Sequence, residues 1–350
     1  MLTFEQRKAA FIDLGQHISN LIDQQLLISS KQNSKFEEIL QIAQAENSWF
    51  TEENICYALA QWAESLKEPH LHKWLSKYNL EVNNTALNIG VVMAGNIPLV
   101  GFHDFLAILI SGHHIIAKLS SNDKRLLPYL AEELIKIQPG FKSYIKFEDN
   151  QLKGYDAVIA TGSNNTARYF EYYFRNKPHI IRKNRNGVAI VTGKENLEDF
   201  EKLGEDIFRF FGLGCRNVSK LFIPQNFDFD EFFKGISKFK SYIYHNKYAN
   251  NYDYNKAVYL MSEISFLDND FLILKEDTQF STPIGVVNYE IYDSEDSLKA
   301  SLEEHREEIQ CIIGQHSLCK FDFGQAQHPN LTDYADGVDT IQFLQNFTTT

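Results

Sequence analysis

The residue best suited to covalent chemistry in this sequence is Cys215, within Phe208-Arg209-Phe210-Phe211-Gly212-Leu213-Gly214-Cys215-Arg216-Asn217. The stretch joins an aromatic helix end to a glycine-broken turn, and a β-rich segment from Val218 to Pro224 follows. Gly212 and Gly214 admit positive φ and let another molecule approach the backbone closely, a freedom that a merely structural cysteine does not need. A thiolate carried on such a turn is a nucleophile toward a carbonyl. Taken locally, the same cysteine also reads as a small buried hydrophobe, the common fate of the residue type.

The elements that must position it belong to a chain of 350 residues, long enough for two domains with substantial cores or for one large α/β unit. An apolar fraction of 44% and a charged fraction of 23% describe an ordinary globular protein. A formal net charge of −12 speaks against a dedicated nucleic-acid binder and against docking on an anionic membrane. Cys56, Cys215, Cys311 and Cys319 form neither a disulfide framework nor a CxxC pair, and His316 with Cys311 and Cys319 has poor metal spacing. A cytoplasmic protein without a metal site is expected. Residues 1–26 are helix-periodic rather than signal-like, and the apolar run Phe105 to Ile110 is too short to span a bilayer.

Residues 1 to about 80 read as helices, broken at Ser29-Ser30, Asn47-Ser48 and Glu68-Pro69, with a helical pair between Phe50 and Tyr78. From Asn88 the pattern changes. Asn88 to Gly95 is a short apolar strand ending in small residues, Asn96-Ile97-Pro98 starts a helix through Ile110, and Ile115 to Lys118 is a second strand, which makes a βαβ unit and predicts a parallel sheet. Helix Leu126 to Ile137, a strand at Ser143 to Phe147 and a clearer strand at Ala157 to Ala160 follow.

That last strand runs into Thr161-Gly162-Ser163 and a helix from Thr166 to Phe174, an arrangement suited to an anion at a helix N-terminus, although Ser163 also reads as a plain N-cap. The basic run Arg182-Lys183-Asn184-Arg185 reads either as a solvated loop or as a phosphate contact. A strand at Val188 to Thr192 and a helix from Leu197 to Phe211 lead to Cys215. Beyond it come a strand at Leu221 to Pro224, a helix from Asp228 to Phe239, strands at Phe271 to Leu274 and Ile284 to Val287, and a helix from Ser294 to Glu308. The Tyr- and Asn-rich segment Tyr242 to Tyr259 has no clear period.

Together these pieces resemble the aldehyde dehydrogenase superfamily and, within it, the acyl-CoA reductases of the LuxC type. The superfamily pattern of Phe, three residues, Gly, two residues, Cys is met by Phe208, Gly212 and Cys215, with Leu213 where a Gln is usual. Gly95-Asn96-Ile97-Pro98 resembles the family's Asn-Phe-Pro turn, which implies that Asn96 helps hold an oxyanion. Lys118 to Ser121 resembles the Lys-Pro-Ser-Glu strand end and Thr161-Gly162-Ser163 the Thr-Gly-Ser turn, which implies cofactor contacts from Lys118, Ser121, Thr161, Gly162 and Ser163. The resemblance implies an aldehyde-dehydrogenase-like α/β fold: a helical region at 1–80, a Rossmann-type dinucleotide-binding domain at 81–192, a smaller catalytic domain at 193–310, and a segment at 311–350 returning to the cofactor domain.

Two departures from the family pattern shape the functional expectation. Arg182 stands where hydrolytic members carry the glutamate that activates water, and a guanidinium cannot be a general base at neutral pH. Thioester exchange needs no such base, so the resemblance implies reduction of a fatty acyl-CoA, or acyl carrier thioester, to the aldehyde through acyl-Cys215. Ser121 replaces the acid that would repel a 2′-phosphate, which favours NADPH, with NADH as the alternative. The competing readings are an aldehyde dehydrogenase working oxidatively and a non-catalytic nucleotide-binding scaffold. The superfamily's habit of oligomerising implies a homodimer, against which stands the shortness of this chain.

Overall fold

The structure, a computed structural model, describes residues 1–26, 35–80 and 85–347. The helix break expected at Ser29-Ser30 lies outside the described residues. The chain divides into two compact units, Met1–Lys183 with Asn330–Thr350, and Asn184–Pro329.

The first unit opens with helices α1 (Phe4–Leu26), α2 (Lys35–Glu46), α3 (Glu52–Ser65) and α4 (Glu68–Leu75). Phe11, Leu14 and Ile18 recur at helical spacing on α1, and all three are fully buried. The Thr51 hydroxyl accepts the Asn54 amide at 3.3 Å and starts α3, while Pro69 in the first turn of α4 gives up no needed donor. These helices share one core with the sheet region, in which Phe11 meets Phe105 and Phe141 edge-on.

The sheet region then runs β1 (Asn88–Val92), α5 (Phe102–Ile110), β2 (His114–Lys118), α6 (Leu126–Ile137), β3 (Ile145–Phe147), β4 (Ala157–Thr161), α7 (Asn164–Phe174) and β5 (His179–Arg182). Its five strands lie in the order β3-β2-β1-β4-β5, all parallel. This is the doubly wound arrangement, whose strand order reverses between β1 and β4. Helix α5 begins at Phe102 rather than at Asn96, because Leu99 adopts a left-handed φ of 58° and interrupts the first turn.

Arg182 closes β5, where it is buried rather than in a solvated loop, and its guanidinium is occupied by a carboxylate of the chain itself. Its guanidinium reaches Asp104 on α5 through two bonds, 2.5 and 2.8 Å long, and donates to the Thr340 hydroxyl at 3.1 Å. Thr340 begins the C-terminal helix Thr340–Gln345, which packs Ile341 and Leu344 into the same core. Lys183 pairs with Glu171, and Arg185 donates to the carbonyls of Arg306 and Ile309. Arg182 and Arg185 are thus held by partners far from them in sequence, while Lys183 forms an exposed pair.

The second unit contains β6 (Asn186–Ile190), α8 (Leu197–Phe208), β7 (Val218–Ile223), α9 (Phe229–Gly235), α10 (Asn246–Met261), β8 (Leu267–Asp268), β9 (Ile273–Glu276), β10 (Val286–Ile291), α11 (Glu295–Glu304) and β11 (Ile309–Ile313). Its sheet has the order β11-β6-β7-β10-β9-β8, antiparallel only between β8 and β9. The strand read from sequence at Val188 to Thr192 therefore bonds into this sheet, between β11 and β7. Asn196 caps α8 by accepting the Glu198 and Asp199 amides, and the Asp199 carboxylate accepts the Asn196 amide in return.

Near the end of α8, Asp206 is fully buried and accepts the amides of Gly324 at 2.6 Å and Ala326 at 2.9 Å. Burial pushes its carboxyl up to about 7 despite these two donors. The folded state therefore keeps the proton that the unfolded chain loses nearer pH 4, so the group favours folding less as pH rises from about 4 to about 7. The stability of the native protein relative to Asp206→Asn should decline across that window in urea titrations at pH 4.5 and 7.5. For the buried ion pair, Asp104→Ala strands the Arg182 guanidinium and should lower unfolding free energy by about 3–5 kcal/mol, whereas Asp104→Leu with Arg182→Met should recover most of that loss. Urea midpoints of the three proteins test this.

Candidate active site

In the first unit the candidate cofactor residues occupy the carboxyl edge of the sheet. Val92 on β1 is flanked by Lys118 of β2 and Ala160 of β4, so Lys118 and Thr161 end their strands on either side of it. Ser163 caps α7 by accepting the Thr166 amide at 3.3 Å. A Cβ on Gly162 would stand 3.0 Å from Thr166 and 3.1 Å from Phe170, so the helix start lies close over that residue. The half-buried Lys118, the exposed Ser121 and the N-terminus of α7 suit the phosphates of a dinucleotide laid across the switch point.

Asn96 projects from the neighbouring loop and is exposed. Its loop is locked to the one after β2. A Cβ on Gly95 would lie 2.6 Å from the Ser120 side chain, so glycine is needed for the approach. Asp123 accepts the amide of left-handed Leu99 at 3.1 Å, and burial pushes its carboxyl up to about 6. The loop of Asn96 and the loop of Lys118 and Ser121 are therefore brought together, with Asp123 as their tie.

Cys215 belongs to the second unit. Helix α8 stops at Phe208, short of the predicted Phe211, because Phe210 and Phe211 take left-handed φ values of 55° and 58° ahead of Gly212 at 75°. Bulky residues adopt that conformation only when their surroundings impose it. Here Phe211 lies 5.2 Å from the Tyr242 ring and 4.4 Å from His245, while Phe208 stacks on Phe239 at 5.0 Å. The chain then turns through Gly214–Asn217, closed by the Asn217 amide on the Gly214 carbonyl at 3.0 Å, with Cys215 at the second position.

Asn217 organises this turn and is only 3% exposed. Its Oδ1 accepts the Gly214 amide at 2.8 Å, and its Nδ2 lies 3.1, 3.3 and 2.7 Å from the carbonyls of Asp206, Ile207 and Arg209. The turn also rests on β6: Gly187 donates to the Asn217 carbonyl at 3.0 Å, and a Cβ there would fall 2.4 Å from the Arg216 oxygen. The Cys311 thiol donates to that same oxygen at 3.7 Å, and Arg216 sits over the Phe321 ring.

Burial pushes both Cys56 and Cys319 up to about 11, and Cys311 is buried. Among the described residues no three His, Cys, Asp or Glu side chains gather as a metal site. The sequence reading passed over Asn217 and Asp123, although a recognisable signal existed for each: Asn closing a Gly-containing turn before a strand, and Asp at the entry to a helix. It also passed over Lys220 on β7, whose fully buried ammonium bonds Glu290 at 2.7 Å and the Asp277 carbonyl.

Comparison with solved structures finds the same fold in aldehyde dehydrogenases. Aldehyde dehydrogenase 21 from Physcomitrella patens, solved in complex with the reaction product succinate, aligns with a TM-score of 0.67 at 12% identity, over 99% of this chain and 85% of that one. An NAD+ complex of aldehyde dehydrogenase from Bacillus cereus aligns with a TM-score of 0.64 at 13% identity, over 92% and 76%. An E. coli NADP dependent enzyme gives 0.64 at 11%, over 92% and 78%. No curated protein sequence matches the chain. The sequence pattern described as acyl-CoA reductase (LuxC) matches residues 64–283, a span that contains the β1 and β2 loops, the Thr161–Ser163 turn and the Cys215 turn alike. The chain belongs to the acyl-CoA reductase (LuxC) family.

Proposed function

We propose that the protein reduces a fatty acyl thioester, delivered as acyl-CoA or on an acyl carrier, to the aldehyde with NADPH. The observation that carries this reading is the Cys215 turn: a half-buried thiol on a strained, tightly bonded loop, inside the segment that matches the family. In this reading the Cys215 thiolate attacks the thioester carbonyl, a C–S bond forms, and the CoA thiolate leaves. The Asn96 side-chain amide, with a backbone amide beside Cys215, stabilises the oxyanion. Lys118, Ser121, Thr161, Gly162 and Ser163 hold the cofactor, and Ser121 in place of an acid leaves room for the 2′-phosphate of NADPH in preference to NADH. Bound NADPH supplies the hydride that converts the acyl-cysteine to the aldehyde, with return of the Cys215 thiolate.

The bidentate Arg182–Asp104 pair supports reduction over hydrolysis, because the position that would need a water-activating carboxylate carries a cation already engaged in the core. A cytoplasmic homodimer is the setting we propose, with the first unit as the dinucleotide-binding part and the second as the catalytic part. With a panel of acyl-CoAs of increasing chain length, the protein should consume NADPH and form aldehyde. Cys215→Ala should lower that rate by at least about 10³-fold, and Asn96→Ala should lower kcat by about 10²–10³-fold. Acid formed from aldehyde without CoA, or turnover unchanged in Cys215→Ala, would overturn the reading.

A further inference from the structure

Cys215 follows the carboxyl end of α8, where the helix dipole and its last carbonyls carry partial negative charge. That end disfavours a thiolate, in contrast to the helix N-termini where low-pKa cysteines are often found. Asn217, two residues beyond the thiol, turns its Nδ2 onto the carbonyls of Asp206, Ile207 and Arg209 and its Oδ1 onto the Gly214 amide. One buried side chain thus covers the carbonyl end of the helix and fixes the turn that carries the sulfur.

We propose that Asn217 is the positioning residue that keeps Cys215 reactive, by covering the helix carbonyls that would otherwise oppose the thiolate. The inference rests on the reading of Cys215 as the nucleophile. In the second unit, the ionisable groups on the elements meeting this turn include Glu205, Arg209, Asp206, Arg216, His245 and Cys311, with Lys238 on Glu205 at 3.3 Å and His328 beside Arg209 and Glu205. Glu205 and Arg209 pair at 2.8 Å, and Asp206 is engaged by the Gly324 and Ala326 amides. Arg216 lies over Phe321, His245 packs on Phe211, and the Cys311 thiol donates to the Arg216 carbonyl.

The test is the pH dependence of iodoacetamide alkylation of the whole protein, read for each cysteine separately by peptide mass spectrometry. In Asn217→Asp a carboxylate keeps an acceptor for Gly214 but faces the three carbonyls with negative charge. Its Cys215 midpoint should rise by about 1–3 pH units, with a matching loss of labelling rate at pH 7.5 of about tenfold or more. Asn217→Ala should fall between this variant and the native protein, while Cys56 and Cys319 keep their midpoints. An unchanged Cys215 midpoint in both variants, with circular dichroism showing an intact fold, would overturn the inference. Should the variants not fold, the native protein decides: a Cys215 midpoint at or above that of Cys319 would overturn it as well. A reactive, Asn217-dependent thiol without acyl-CoA turnover would sink the reductase reading alone, and turnover with an unshifted thiol would sink only this inference.

Discussion

A parallel pair of strands can be joined only by a crossover that returns to the end where the first strand began. In the first unit all five strands obey this, and the constraint gathers the exits of β1, β2 and β4 on one edge of the sheet. Asn96, Lys118, Ser121 and Thr161–Ser163 sit on those exits, so residues scattered over some distance in sequence are gathered at one edge of the sheet. The same constraint requires helices over the strands. Accordingly Ile89, Ile115, Ala117, Val158 and Ile159 are fully buried, and α5, enclosed in turn, is apolar around nearly its whole circumference.

A packed interior leaves little water for charge, yet each of the two units buries charged groups. Arg7 donates to the carbonyls of Ile110 and Leu2, Arg182 joins Asp104 to Thr340, Asp206 accepts two amides of the loop after β11, and Lys220 bonds Glu290. Burial lowers the pKa of Arg7 and of Lys220 and raises that of Asp206, the direction that desolvation dictates for each charge type. These groups join segments that hydrophobic packing alone would hold with less definite geometry.

The turn of Cys215 shows the complementary device, strain held in place by surroundings. Two consecutive phenylalanines in the left-handed region persist because both are buried, the Phe211 ring among Tyr242, His245 and Tyr248, and because Asn217 takes the carbonyls that the broken helix exposes. Gly187 allows the turn to lie against β6 at a separation no side chain would permit. The outcome is a thiol on a backbone that has little room to relax, which is what a nucleophile attacking a fixed carbonyl requires.

Local pattern was enough to read β1, β2 and β4, the helices α6 and α8, and the order Asn96, Lys118, Thr161, Cys215, because apolar periodicity and glycine punctuation act within a few residues. The short strand β5 is unassigned in the sequence reading, where only its last residue, Arg182, enters a basic run taken as a solvated loop or a phosphate contact; β11 is unassigned as well, and the Tyr- and Asn-rich composition of helix α10 shows no clear period. Nothing near Arg182 announces that its partner is Asp104, 78 residues earlier, and nothing near Asn217 announces that it will collect the last carbonyls of α8. The sequence by itself determined the parallel α/β layout and the identity of the candidate nucleophile. Tertiary structure decided which charges are spent inside the core, where α8 ends and what surrounds the thiol, because each of these is set by partners that come together only when distant segments pack.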